Sequence, residues 1–322
     1  MPKLLSGCFT FLVVLLSVVA ADAEDYPARP VRLINASSAG GISDVFMRVI
    51  AEGFRQRTGQ PMIIDNRPGG HFSIGARACA EATPDGYTFC VLSDQALTYN
   101  KWLYKKLSYD PVKGLMPVTQ LFILAQALTV SQKLGVKTLA DLAKLAKAKP
   151  KTLSYSAAAV ALQVFMDNFN KENGTDIVRV PFRGGGDAVS GVLSGTTPIV
   201  FLGIGNTMSY LRDGSMIGLA MDGTKRSPLF PNVPSLADIG YHGPLTRSYF
   251  ALYAPAGTPK AMVTKIADEV RAIGNNPDFI ARHMTQLGLE PVFSAPDDFA
   301  AFLVNDREAA RRVVEAAGLT PQ

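Results

Sequence analysis

Three cysteines among 322 residues are too few for a disulfide-dense scaffold. Three histidines and no CxxC rule out the common zinc-finger arrangements. Charge is sparse as well, at 18 % of residues, and 32 Lys+Arg against 27 Asp+Glu leave a net charge of only +5. The basic residues are dispersed, and the densest run, Lys144 to Lys151, reads as a helix end, so no nucleic-acid partner is expected. No GxxxxGK[ST] loop is present to cradle nucleotide phosphates. The string nearest to a nucleophile elbow, Gly214-Ser215-Met216-Ile217-Gly218, is misspaced. Gly184-Gly185-Gly186 lacks the third glycine of a dinucleotide fingerprint. His71, His242 and His283 lie on separate segments without a partner at ligand spacing, so neither a metal nor a cofactor is expected. What the chain has in quantity is apolar residues, 48 %, enough to bury two sizeable cores and too many for a disordered chain.

The N-terminus reads as a secretory signal over residues 1–23. Lys3 supplies the positive region, Phe9 to Ala20 the apolar stretch, and Ala21-Asp22-Ala23 a small-x-small cleavage site. The apolar run is shorter than the roughly 20 residues of a membrane span. Leu5-Ser6-Gly7-Cys8 has the letters of a lipoprotein box but precedes most of the apolar run, so lipidation is not expected. The mature chain is therefore expected to be soluble and outside the cytoplasm, with Cys79 and Cys90 as its cysteines. A disulfide between them needs Cα atoms closer than about 7 Å, tighter than ordinary helix-on-sheet packing. Two buried thiols are the favoured reading.

Short apolar strands alternate with amphipathic helices, the pattern of α/β architecture. Strands are predicted at Val31–Ile34, Met62–Asp65 and Tyr87–Leu92, with helices at Asp44–Thr58 and Ile74–Glu81 between them. The first helix carries Val45, Val49, Ile50 and Phe54 on helical spacing. Leu121–Val130 reads as one long strand crossing between domains. The cycle then restarts, with helices at Leu139–Lys147, Leu162–Asn173 and Asp187–Leu193 and strands at Thr152–Ser156, Val178–Pro181 and Pro198–Leu202. Tyr249–Ala254 reads as a second crossing strand, and the remainder, at 259–273, 276–287 and 297–316, as helical. Two α/β units joined by two crossings imply a hinged pair with a cleft between, with 24–123 and 251–322 as the first domain and 124–250 as the second.

Four strand-to-helix turns are rich in Gly, Ser or Asn: Asn35–Asp44, Asn66–Gly75, Ser154–Ala161 and Arg183–Asp187. In open α/β sheets ligands sit outside the carboxyl ends of strands, where helix N-termini offer unpaired N–H groups and partial positive charge. Such turns hold a carboxylate or phosphate without a catalytic side chain. Asp44 and Asp187 read as N-caps within them.

In order along almost the whole chain come Tyr26-Pro27-Ala28-Arg29-Pro30-Val31-Arg32, Asp65-Asn66-Arg67-Pro68-Gly69, Pro84-Asp85-Gly86-Tyr87-Thr88, and Leu103-Tyr104-Lys105-Lys106-Leu107 with Tyr109-Asp110-Pro111-Val112. They are followed by Lys225-Arg226-Ser227-Pro228, Asn232-Val233-Pro234-Ser235 and Ala254-Pro255-Ala256-Gly257-Thr258-Pro259. This series resembles the solute-binding proteins of tripartite tricarboxylate transporters, the Bug-type periplasmic receptors. The resemblance implies a two-domain α/β periplasmic binding protein of type II (Venus-flytrap) with two hinge crossings. It also implies a monomer that closes on a small organic acid, holds it by backbone groups and hydroxyls, and passes it to an inner-membrane permease.

The departures from the family pattern bear on the ligand. The first cleft loop, usually like VPFPPGGxTD, has Ser37 for the aromatic and has lost both loop prolines, while Gly40, Gly41 and Asp44 stay; Ser38 and Ser43 complete its polar set. In the second loop, usually like NRPGAGGxIG, two small positions have become His71 and Phe72, followed by Ser73. Asp94 stands where a small or hydroxylated residue is common. In the second domain the glycine- and serine-rich turn contains Ser156 and Ala158, and the usual tyrosine before Arg183-Gly184-Gly185 is Phe182. These residues are the expected ligand-binding set, with no catalytic residue among them. His71 and Phe72 admit two readings: the rings refill the volume lost at Ser37 or point to solvent, or Phe72 walls the cleft for an aromatic or otherwise bulky acid while His71 donates a hydrogen bond to its carboxylate. Asp94 is expected to hydrogen-bond a nearby turn without meeting the ligand; an ionised Asp94 that does face it would ask for an ammonium group, as on an amino acid. The alternative of another class is an exported hydrolase of a small ester or amide.

Overall fold

The computed structural model describes residues 26–157, 159–182 and 185–321. The predicted signal at 1–23 and the site residues Ala158, Arg183 and Gly184 lie outside the described residues. No helix among the described residues is long and apolar enough to cross a membrane.

The chain builds two α/β domains, each around one mixed sheet. In the first, β1 (Val31–Asn35) pairs in parallel with β2 (Met62–Asn66) and with β3 (Thr88–Ser93). Helices α1 (Ile42–Thr58) and α2 (Ser73–Ala80) connect them. A turn of π-helix, Gln95–Tyr99, and α3 (Asn100–Leu103) follow β3. β4 (Leu115–Leu124) lies in this sheet, and β5 (Gln126–Ser131) in the other. The second domain repeats the plan: α4 (Leu139–Ala148), β6 (Ser154–Ala157), α5 (Val160–Asn173), β7 (Val178–Arg179), α6 (Gly185–Ser194), β8 (Ile199–Gly203), α7 (Ile204–Arg212) and β9 (Met216–Met221). The chain returns in β10 (Tyr249–Pro255), followed by α8 (Lys260–Gly274), α9 (Pro277–His283), β11 (Leu289–Pro291) and α10 (Pro296–Ala316). The sheet orders are β11-β4-β10-β3-β1-β2 and β7-β6-β8-β5-β9. In each sheet three parallel strands are flanked by an antiparallel strand adjoining the crossover, β10 beside β3 and β5 beside β8.

Several expectations are corrected here. The apolar run Leu121–Val130 is not one strand. It breaks at Ala125, because its first half is buried in one sheet and its second half in the other. Its apolar character is continuous although its partners change. The return crossing falls in the irregular run 222–248, ahead of β10, which belongs wholly to the first sheet. In α1 the buried stripe is Phe46, Met47, Ile50 and Phe54, spaced for one helical face, each worth roughly 1.5–3 kcal/mol of burial. Val45, expected on that stripe, is exposed. The helix ends at Gly59, whose φ of 73° suits a glycine and whose N–H donates to Arg55 O at 2.9 Å.

Cys79 and Cys90 form a disulfide, with Cα atoms 6.0 Å apart, where two thiols were expected. The reason is how closely α2 lies on the sheet. A Cβ on Gly75 would stand 2.5 Å from Ala36 Cβ, so glycine against alanine lets the helix approach nearer than larger side chains allow. The pair is buried among Ile34, Ala76, Leu92 and Phe299.

Candidate functional site

Where the chain crosses and returns, a cavity of about 800 Å³ opens between the domains. The first domain contributes Ser37, Gly40, Gly41, Ile42, Val45 and Phe72, with Ser93, Asp94, Gln95 and Tyr99 from the end of β3 and the π-turn. The second contributes Ala159, Val160, Leu202 and the run Gly203-Ile204-Gly205-Asn206. Between them stand Leu124, Ala125, Gln126, Ser248, Phe250, Leu287 and Gly288. Three helices begin at this cavity: α1 after Gly41, α5 after Ala159 and α7 after Gly203. First-turn N–H groups have no partner within their own helix and carry partial positive charge. No Lys, Arg or His is among the described lining residues. An anion entering here meets backbone N–H groups, hydroxyls and amides.

Of the predicted residues, Ser37, Gly40, Gly41, Phe72 and Asp94 come together around this cavity. Ser38 is exposed beside it, and its carbonyl accepts from Gly41 N–H at 3.1 Å. Ser43 is buried and donates to Asn35 Oδ1 at 3.0 Å. Asp44 is the third residue of α1 and not its cap: its buried carboxylate accepts from Gly40 N–H (2.9 Å), Asn66 Nδ2 (3.0 Å) and Arg48 (3.0 Å). Burial would raise its pKa, but these donors outweigh burial and hold it below the usual carboxylate range. Asp187 likewise lies inside the first turn of α6, which begins at Gly185. Ser156 donates to Val180 O at 2.8 Å and, with Phe182, lines a separate hollow of about 510 Å³ in the second domain.

Residues 46–319 match the tripartite tricarboxylate transporter family receptor. The chain belongs to this receptor family. The receptor is 31 % identical over 306 residues to a UPF0065 protein of Bordetella bronchiseptica, covering 95 % of this chain and 91 % of the relative. Among solved structures it is similar to the R. palustris protein Rpa4515 with adipate, at a TM-score of 0.78 and 28 % identity over 92 % of this chain and all of that one. It is also similar to the periplasmic binding protein BugD, at a TM-score of 0.75 and 25 % identity, with the same coverage. The two-domain periplasmic-binding-protein fold expected from the sequence is the fold these comparisons share.

The receptor's second loop takes a costly backbone path. Gly69, Gly70, His71 and Phe72 all have positive φ, at 117°, 56°, 50° and 68°. Glycine accepts this region freely, whereas other residues pay roughly 1–2 kcal/mol each. The small residues of the family pattern therefore suit this turn, and His71 and Phe72 hold it through contacts. Asn100 Nδ2 donates to His71 O (2.9 Å) and to Ser73 Oγ (3.0 Å), and His71 Nδ1 lies 2.5 Å from the Tyr104 hydroxyl. That contact turns the exposed imidazole away from the cavity lining. The Phe72 ring packs edge-on against Phe250, with centroids 6.0 Å apart, and faces the cavity.

Asp94 is the one carboxyl on the described lining, and it is 9 % exposed. Burial, joined by the charge of Asp306 on α10, pushes its pKa up to about 8 against the opposing pull of the Tyr249 and Gln95 backbone amides. Asp306 accepts from the Tyr249 hydroxyl at 3.0 Å, and burial raises it to about 6. Thr98 donates to Asp94 O at 2.9 Å, and the Tyr99 hydroxyl bonds Thr246. Next to Asp94, the buried Ser93 hydroxyl has no partner among the described residues.

The crossover between the two sheets is also polar. Asp222, fully buried, accepts from Gln126 N–H at 2.9 Å and from Arg247 at 3.1 Å, while Arg247 reaches Glu290 at 2.6 Å. These two carboxylates raise the Arg247 pKa against the effect of its own burial. Sequence reasoning missed this cluster and the α7 terminus. Gly203-Ile204-Gly205-Asn206 has the same strand-then-Gly/Asn signature as the four turns it did select.

Proposed function

We propose that this receptor works outside the cytoplasm, captures a small organic carboxylate between its domains and releases it to an inner-membrane permease, without turnover. The observation that carries the reading is the cavity's three helix N-termini, joined in the lining by apolar Phe72 and Phe250 and by no side-chain cation among the described lining residues. Capture of an acid by the similar protein Rpa4515, solved with adipate, supports it. The apolar side suits an aromatic or otherwise bulky acid.

In this reading the body that holds β1–β4 and β10–β11 moves against the body that holds β5–β9, bending at Ala125 and within 222–248. The α1 terminus and the α5 and α7 termini then meet on the carboxylate from opposite sides. Thermal unfolding against a panel of adipate, malate, benzoate, glutamate and phenylalanine tests the proposal. A ligand at 100 times its dissociation constant adds about 2.7 kcal/mol. A panel in which no acid stabilises the protein refutes the reading.

A further inference from the structure

The receptor reading leaves open what the ligand presents to Asp94, and the surroundings of this residue carry an answer that rests on that reading. Asp94 directly follows β3, whose last residue Ser93 pairs with Phe250 of β10, and its buried side chain lines the cavity. The titratable groups facing it are Asp306 from α10, Tyr249 from β10 and Tyr99 from the π-turn, with Arg307 nearer to Asp306. No cation is among the described residues that line the cavity with it. Its neighbour Ser93 adds a buried hydroxyl without a partner.

We propose that Asp94 meets the ligand as a protonated carboxyl and donates a hydrogen bond to a ligand oxygen, so that the receptor selects a plain organic acid over its ammonium-bearing counterpart.

An ionised Asp94 would place two carboxylates, its own and that of Asp306, in one desolvated place, and would repel an anionic ligand besides. A neutral Asp94 removes both penalties and supplies a donor directed at an acceptor. The ligand's own carboxylate is left to the helix termini, so a second oxygen on the acid, a carboxylate or a carbonyl, is the group Asp94 receives. Since the proton leaves free Asp94 at about pH 8, the binding-competent fraction falls from roughly nine-tenths at pH 7 to one-tenth at pH 9. Asp306, with a pKa of about 6, titrates below that window.

Two measurements test this. Calorimetry at pH 7 and pH 9 compares adipate with 2-aminoadipate, whose plain carboxylates do not titrate there, on the parent, Asp94→Asn and Asp94→Leu. Adipate should bind the parent about tenfold more weakly at pH 9. Asp94→Asn, a donor at every pH, should bind it with no such slope, and Asp94→Leu should bind it weakly at both. A slope that survives Asp94→Asn, a flat parent profile, or a preference for 2-aminoadipate that Asp94→Asn abolishes each overturns the proposal. Independently of any ligand, a carbon NMR titration of the free receptor, with the Asp94 carboxyl identified by its loss in Asp94→Asn, should show a midpoint near 8. A midpoint below 6 overturns the proposal even where neither adipate compound binds. A normal midpoint with acids bound leaves the receptor reading standing, whereas failure of the whole acid panel removes that reading and leaves the titration to be judged alone.

Discussion

Replacing Phe72 by alanine and by glycine separates two effects that a single substitution mixes. Both remove the ring that packs on Phe250 and faces the cavity. Complete truncation of a fully buried phenylalanine costs about 3–5 kcal/mol, and this half-buried ring should cost roughly half that, about 2 kcal/mol. At φ 68°, alanine keeps the left-handed penalty and glycine does not. Phe72→Gly should therefore be about 1 kcal/mol more stable than Phe72→Ala, reversing the order found in ordinary helices and strands. Urea unfolding of the three proteins reads this difference. If Phe72→Gly proves equal to or less stable than Phe72→Ala, the loop is not strained in the way its backbone angles indicate. The same pair reads the ligand side, because an aromatic contact adds roughly 0.5–1.5 kcal/mol beyond buried area. Both variants should lower the affinity ratio of benzoate to adipate by about tenfold at most. An unchanged ratio means that the ring is a structural wedge and not a wall for the ligand.

The Cys79–Cys90 disulfide joins residues 11 apart in sequence, so reduction or Cys79→Ala with Cys90→Ala should cost about 3 kcal/mol in urea unfolding; equal midpoints with and without reductant would contradict it. Arg247→Leu strands the buried Asp222 carboxylate at the hinge and should cost about 3–5 kcal/mol, with Asp222→Asn in the same background restoring part of the loss; a neutral Arg247→Leu would show that the pair is not needed. Asp94 binds its proton more tightly folded than unfolded, so its contribution is complete below pH 4 and is lost as pH rises toward 8, by up to about 1.4 kcal/mol per pH unit. Asp94→Asn should flatten the fall of melting temperature across that window, and parallel curves for the two proteins would count against a raised pKa.

The alternation of strands and helices was legible because each element writes its burial in its own period. Ile50 and Phe54 on α1 and the apolar run of β3 need no partner to be recognised, although the sequence pattern draws the stripe through Val45 and Val49 where Phe46 and Met47 carry it. What the sequence hid was non-local. Nothing in Leu121–Val130 marks the change of sheet at Ala125, since every residue of β5 and most of β4 are buried whichever sheet they join. The disulfide depended on the meeting of Gly75 with Ala36 across a connection. The α7 terminus escaped notice because Gly203, Gly205, Gly214 and Gly218 weaken the helix and strand signals of that stretch, although its turn chemistry was plain. Asp94 was visible as an unusual residue at its position. Its raised pKa was not, because the burial that drives it and the charge of Asp306, brought from the far end of the chain, both arise only in the fold.

The division of labour in the cavity follows from what each group can distinguish. The termini of α1, α5 and α7 offer N–H groups to any carboxylate, each worth about 0.3–1 kcal/mol at an exposed site and up to about 2 kcal/mol when partly buried. Such a grip is nearly the same for every acid, so it supplies affinity and little selectivity. Discrimination is left to groups that meet the rest of the molecule. Phe72, Leu124, Leu202 and Phe250 reward apolar bulk at about 0.8 kcal/mol per methylene, close to fourfold in affinity for each one added. A hydrogen-bonding group works more sharply, because a buried donor left without its acceptor costs about 1–3 kcal/mol. Ser93 and Asp94 are the buried polar side chains at the end of β3 in this lining, and both depart from the pure backbone grip. Under the proposed function this lining is permissive toward the carboxylate and exacting toward the rest of the ligand.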